Sequence, residues 1–232
     1  AAYTHENSKL PDLLRTLIGL DANFKIRIGM MNPNSCFKIL QDLLDVLASE
    51  KIYKFLHLPL QSGNDEVLIR MNRFYTSEQF LEIVRQFRKH FPLLSLSTDV
   101  IVGFPGESED QFEQTLDVLK KIQPDIVNIS KFGVRPKTQA KNLPDKVSTD
   151  EIKRRSKKCT SLVNEITEKR NQIWIGWEGS ILITEPKKND FWMGRNFAYK
   201  PVLLKSDDNL LGKEIKVRIV ENRKNHLIGT RA

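Results

Sequence analysis

Two rhythms of apolar and polar positions alternate along the first 171 residues. Runs at 24–29, 53–58, 94–102 and 125–132 read as strands, and between them apolar residues recur at three- and four-residue steps. Leu40, Leu43, Leu44 and Leu47 make one stripe, Phe80, Leu81, Val84 and Phe87 a second, and Phe112, Leu116 and Leu119 a third. Each stripe predicts a helix with one buried face. Two of these helices open on capping-box spacing, Thr76 with Gln79 and Ser108 with Gln111, in which side chains satisfy the unpaired first-turn amides. Strands separated by helices pair in parallel through right-handed crossovers. The pattern therefore predicts an α/β sheet or partial barrel whose working edge lies at the strand C-termini.

Residues 141–146, with Pro144, break the rhythm, and a long helix is expected over 148–171. Ile152, Cys159, Leu162, Val163 and Ile166 share its apolar face, while Lys153, Arg154, Arg155, Lys157 and Lys158 supply the other. Beyond Trp174 the pattern shortens to β segments at 179–184, 191–197, 200–204, 214–220 and 226–230. Five short strands in so little chain predict a small all-β barrel of the oligonucleotide-binding kind. The expected division is 1–171 for the α/β part, long helix included, and 172–232 for the barrel.

Composition changes this picture little, but charge sharpens it. With 40% hydrophobic and 28% charged residues in 232, the chain can bury a sizeable core. No run approaches the ~20 apolar residues of a membrane span, and the N-terminus lacks the regions of a signal peptide, so no membrane contact and a cytoplasmic location are expected. Cys36 and Cys159, the two cysteines, lie outside any Cys-x-x-Cys pair. They suggest neither a disulfide framework nor a metal site, and both read as buried structural thiols. Net charge is +8, and from Gln172 onward eleven Lys and Arg face seven Asp and Glu. A small basic β unit is either a solvated surface or a holder of RNA.

Candidate chemistry gathers at two strand ends. Phe55-Leu-His-Leu-Pro-Leu-Gln-Ser-Gly63 runs from an apolar strand into a polar turn whose Gln61, Ser62 and Gly63 suit a nucleoside ligand, or serve topology alone. Thr98-Asp-Val-Ile-Val-Gly-Phe-Pro-Gly-Glu107 is similar: Asp99 lies in the strand, Gly103 and Gly106 permit a tight turn, and Glu107 either meets a ligand or complements the helix dipole. Arg27 and Arg135, each near a strand end, have the fixed fork that grips a carboxylate or phosphate. His57, inside an apolar strand, reads as a hydrogen-bonded core histidine. In the tail, Lys187, Lys188, Trp192, Arg195 and Asn196 combine cations with a ring in the way RNA-binding surfaces do. Trp192 also fits a core role, and Phe197 reads as barrel core.

Taken in order, these motifs resemble the methylthiotransferase branch of the radical-SAM enzymes over nearly the whole chain. Leu10-Pro-Asp-Leu-Leu14, Arg27-Ile-Gly-Met-Met-Asn-Pro33, His57-Leu-Pro-Leu-Gln-Ser-Gly63, Met71-Asn-Arg73, Asp99-Val-Ile-Val-Gly-Phe-Pro-Gly-Glu107 and Arg135-Pro-Lys-Thr138 follow that family's order, although Lys137 stands where the family often has glycine. Trp174-Ile-Gly-Trp-Glu-Gly179, Gly194-Arg-Asn-Phe-Ala-Tyr-Lys-Pro201 and Leu211-Gly-Lys213 are similar to the TRAM domain of its archaeal and eukaryotic tRNA branch. The resemblance implies half of a radical-SAM partial barrel joined to a TRAM barrel. It implies S-adenosylmethionine and two 4Fe-4S clusters as cofactors of the full-length enzyme, with methylthiolation at C2 of threonylcarbamoyladenosine beside the tRNA anticodon as the reaction. Gln61, Ser62, Gly63, Asp99, Gly103, Glu107, Arg27 and Arg135 would then line the S-adenosylmethionine site, and Lys187, Lys188, Trp192, Arg195 and Asn196 would meet RNA. Catalytic residues and the sulfur donor stay unassigned. The family's Cys-x-x-x-Cys-x-x-Cys cluster triplet is absent, so the chain is expected to be a C-terminal fragment, inactive alone. Two alternatives stand beside this reading: the sister branch that modifies a ribosomal-protein aspartate, and a cluster-free RNA-binding module.

Overall fold

The computed structural model describes residues 3–6, 8–133 and 143–232. A short hairpin, β1 (Thr4–His5) with β2 (Ser8–Lys9), leads into α1 (Leu10–Ile18), where Asp12 accepts the Lys9 amide at 2.9 Å. Then follow α2 (Pro33–Phe37), α3 (Leu40–Leu47), β3 (Phe55–His57), α4 (Asp65–Arg70), α5 (Ser77–His90), β4 (Ser95–Val102), α6 (Glu109–Ile122), β5 (Ile126–Lys131) and α7 (Thr149–Gln172). Both expected capping boxes form, at the starts of α5 and α6. β3, β4 and β5 make a parallel sheet with β4 in the middle.

The register gives that sheet two unlike faces. Leu96, Val100 and Val102 of β4 are buried in a core shared with α3, α5, α6 and α7, around Leu43, Phe80, Phe87, Phe112 and Cys159. Phe55, His57, Ser95, Ser97, Asp99, Ile126 and Asn128 share the opposite face, because paired residues of a sheet point the same way. Ile126 there is 44% exposed.

The tail, β6 (Glu178–Pro186), β7 (Phe191–Arg195), β8 (Pro201–Lys205), β9 (Glu214–Asn222) and β10 (Leu227–Arg231), closes into a five-stranded barrel in the order β10-β8-β7-β6-β9. Every pairing is antiparallel except β10 with β8. Trp174, Ile181, Ile183, Val202, Val217, Ile219 and Leu227 fill it. Closure leaves no strand edge unpaired.

Ionic and polar contacts join the two units. Asp125, fully buried just before β5, receives Lys200 Nζ at 2.9 Å and Arg170 Nε at 3.3 Å, and its other oxygen accepts the Leu96 amide at 2.9 Å. Lys200 also donates to Asn171 Oδ1 at 2.8 Å, and the Lys54 amide donates to the Phe197 carbonyl at 2.8 Å. Burial pulls the Lys200 ammonium below its ordinary range, with Asp125 opposing.

Four expectations change. Among the described residues the run 24–29 pairs only at Ile26 with Ile52, an isolated bridge in which the Ile26 amide donates to the Lys51 carbonyl at 2.7 Å and its carbonyl accepts the Tyr53 amide at 2.9 Å. The Leu40 to Leu47 stripe forms α3, but Cys36, four residues before Leu40 and so expected on the same helix, lies on the separate α2, because Lys38 and Ile39 leave the helix between them. Arg155, placed on the solvent face of α7, is buried. Phe197, read as core, is 41% exposed, its ring resting against Trp174 and Trp177.

Candidate functional site

Across the open face of the sheet, the register sets three polar residues side by side. His57 Nε2 lies 2.7 Å from Asp99 Oδ2, and Asn128 Nδ2 donates to Asp99 Oδ1 at 2.9 Å. A carboxylate oxygen accepts, so His57 Nε2–H is the donor of that contact. The His57 and Asp99 side chains keep 19% and 24% of their surface. His57 is thus a residue of the face, which the core-histidine reading missed, and Asn128 was not anticipated. The available signal was parity: once the strands pair in parallel, the three residues fall on one side.

The turn after β3 divides its residues between edge and interior. Gln61 adopts φ +64°, donates its amide to the Asp99 carbonyl at 2.7 Å and accepts the Ile101 amide at 2.9 Å, which pins it across the edge of β4. Its side-chain amide has no partner among the described residues. Ser62 is fully buried, its hydroxyl 3.3 Å from Thr115 Oγ1 and accepting the Asn64 amide at 3.2 Å. Gly63 meets α6 so closely that a Cβ would lie 2.6 Å from the Gln114 carbonyl oxygen and from Thr115 Cα. Ser62 and Gly63 therefore hold the turn against a helix.

The turn after β4 is anchored in the same way. Gly103, at φ +79°, donates to Glu107 Oε2 at 2.8 Å, and a Cβ there would sit 2.3 Å from Ile152 of α7. Burial pushes the Glu107 carboxyl above its usual range, while the Gly103 amide and Arg155, 3.2 Å away, oppose it. Glu107 Oε1 is buried without a partner among the described residues. The Arg155 fork further reaches Glu109 at 3.1 Å and Glu151 at 2.7 Å, which explains how a cation enters the interior.

Between the open face, α7 and the small barrel lies a crevice of about 720 Å³, with Arg27, His57, Ser97, Arg195, Tyr199 and His226 among its walls. Lys187 also lines it, paired with Glu185 at 2.8 Å, and Lys188 is exposed beside it. Trp192 is half-buried and donates to the Ser206 carbonyl at 3.1 Å. Asn196 is buried, its Oδ1 accepting the Ala198 and Lys200 amides at 3.0 and 2.9 Å; it shapes the turn from within. Arg135 lies outside the described residues. Cys36 and Cys159 are buried on separate elements, and burial pushes both thiols up to about 12. Among the described residues no trio of His, Cys, Asp or Glu is placed to hold a metal ion, so the side chains present do not fit an iron–sulfur cluster.

A profile of the radical SAM superfamily matches residues 4–119. A probable threonylcarbamoyladenosine tRNA methylthiotransferase of Archaeoglobus fulgidus is 38% identical over 95% of the chain and 51% of its own length. A tRNA-2-methylthio-N(6)-dimethylallyladenosine synthase of Alkaliphilus oremlandii is 35% identical over 91% of the chain and 45% of its own length. The chain thus spans about half the length of the relatives it matches. Among solved structures, coproporphyrinogen III oxidase (HemN) of Escherichia coli, a radical SAM enzyme, superposes with a TM-score of 0.53 over 94% of the chain and 54% of that protein, at 17% identity, a likeness of fold alone.

Proposed function

The chain belongs to the radical SAM superfamily, and on that premise we propose that it is the part of a tRNA methylthiotransferase that joins S-adenosylmethionine-binding strands to an RNA clamp. The names of its relatives support the reaction, and one observation in the chain carries the reading: His57, bonded to Asp99 in that polar row, lines a crevice whose far wall is a basic barrel. S-adenosylmethionine would supply the radical and the methyl group of this chemistry. For binding it, the chain offers the free Gln61 amide and the His57–Asp99 pair, with Ser62, Gly63, Gly103 and Glu107 holding the turns in place. We read the barrel as an oligonucleotide-binding, TRAM-type unit, with Lys187, Lys188, Arg195 and the Trp192 ring toward the anticodon loop and Asn196 supporting the turn. Its five strands and basic balance favour this. Cluster ligands would come from residues other than Cys36 and Cys159.

Calorimetry with S-adenosylmethionine and anisotropy with tRNA separate the two halves of the proposal. Asp99→Ala should weaken cofactor binding about tenfold or more and leave tRNA affinity within about twofold, as loss of a hydrogen-bonded charge would. Unchanged cofactor affinity would remove the open face from the site. Mass spectrometry of tRNA nucleosides from cells lacking the gene identifies the reaction: a methylthio-adenosine should disappear, and an unaltered nucleoside profile would refute it.

A further inference from the structure

Arg27 and Arg195 come from different units and meet over one ring. The Arg27 guanidinium carbon lies 5.3 Å from the centre of Tyr199 and 5.4 Å from that of Phe55, and the Arg195 guanidinium carbon lies 4.6 Å from Tyr199. Two positive charges are therefore held within about 10 Å of one another beside a crevice wall. Their compensation is unequal. Glu185 comes only to 3.9 Å from Arg195 and is bonded to Lys187, whereas Arg27 has no carboxylate within 4.0 Å among the described residues. Like charges brought together in this way leave a potential that an anion relieves.

The rings also determine how the anion would be taken. An aromatic face holds a guanidinium by its flat side and leaves the N–H fork free for a planar acceptor. Tyr199 is well fixed for this role. It sits at φ +60°, rarely adopted by tyrosine, with Asn196 Oδ1 gripping the amides on either side of it and Tyr53 packed against its ring at 4.9 Å. Arg27 and His57 line the same crevice.

We infer that Arg27, with Arg195 beside it, reads a carboxylate on the substituent of the substrate adenosine, and so selects a carboxylate-bearing modified adenosine over a plain or alkylated one. This rests on the reading of the chain as part of a tRNA methylthiotransferase. The relatives divide on this very chemistry, since a threonylcarbamoyl group carries a carboxylate and a dimethylallyl group is hydrocarbon. The same fork also suits a backbone phosphate, so the test holds the phosphates constant.

Three RNA hairpins are needed, identical except at one loop adenosine: unmodified, threonylcarbamoylated, or threonylcarbamoylated with its carboxylate as a methyl ester. In anisotropy titrations of this chain at fixed salt, the free carboxylate should improve affinity about tenfold over the other two. Arg27→Ala should abolish that advantage while leaving affinity for the unmodified hairpin within about twofold; Arg27→Lys, a charge without a fork, should keep part of it. Arg27 is exposed, so an unchanged melting temperature is expected of both variants. Equal binding of all three hairpins by the parent chain would overturn the inference and leave RNA binding standing. Equal weakening of all three by Arg27→Ala would overturn it too, in favour of a phosphate contact. Binding of none would overturn the RNA-clamp reading and this inference with it.

Discussion

The parallel sheet and the small barrel solve the same problem, how to display polar chemistry on a β scaffold, in opposite ways. The sheet of β3, β4 and β5 packs one face on helices and leaves the other open, so its polar residues are collected by register into a row, His57, Asp99 and Asn128. The barrel turns its apolar residues inward, and its cations, buried Lys200 apart, are left along the outer surface and rim, where Lys188 is exposed and Lys187 and Arg195 are shared with Glu185. One arrangement makes a site by itself. The other makes a surface that gains shape only where it meets the first, at the crevice between them. On the proposed reading, this difference puts selectivity at the junction rather than in either unit.

Asp125 is the strongest lever on that junction. Asp125→Ala leaves buried Lys200 and half-buried Arg170 without their carboxylate, and should cost about 3–5 kcal/mol. All three tryptophans lie in the barrel unit, so their fluorescence reports that unit while circular dichroism at helical wavelengths reports the other. Coincident loss of both signals in urea would show that the clasp holds one cooperative body, and an altered barrel transition beside an unaltered helical one would break the idea that the units are coupled.

A second substitution probes only the α/β side. Gly63→Ala puts a methyl group 2.6 Å from backbone atoms of α6, which cannot swing aside as a side chain would. A loss of roughly 1–3 kcal/mol is expected, read from the midpoint of urea unfolding. A wild-type midpoint would mean that α6 yields freely, and the turn would no longer count as rigidly anchored.

On the barrel side the effect should be smaller and of another kind. Lys188→Ala leaves the fold intact and should weaken binding of different RNA loops alike, with the slope of log affinity against log salt reduced by about 0.7–0.9. Filter binding across a salt series measures this. A variant with the parent's slope would remove Lys188 from the RNA surface.

The smallest effect expected is on acid stability. Hydrogen bonds from Arg154 and Arg155 hold the Glu151 carboxyl down to about 2, against an ordinary 4.5. A depressed carboxyl contributes stability that is present above its unfolded value, so this contribution should fade as pH drops from 4.5 towards 2. Glu151→Gln should flatten the fall in the unfolding midpoint across that window, and an unchanged fall would show that other carboxylates govern it.

Some of this was legible from the sequence alone, because it is carried by neighbours a few residues apart. Apolar spacing of three and four, the capping boxes at Thr76 and Ser108, and the short β runs after Trp174 specify helices and strands locally, and the strand–helix alternation then leaves parallel pairing as the arrangement that buries them. Gly103 and Gly106 were likewise readable as a tight turn. What the tertiary structure alone decided depends on residues distant in the chain. Ser62 became interior because α6 arrives at Thr115, and Arg155 could be buried only because Glu107, Glu109 and Glu151 converge on it. His57 changed from an expected core histidine into a residue of the open face when the register, which pairs it with Ser97, brought it diagonally to Asp99, and Arg27 found Arg195 only through the docking of the barrel. Periodicity states which side of an element is apolar, but a polar residue's role depends on which group meets it across space, and that is fixed only when the elements pack.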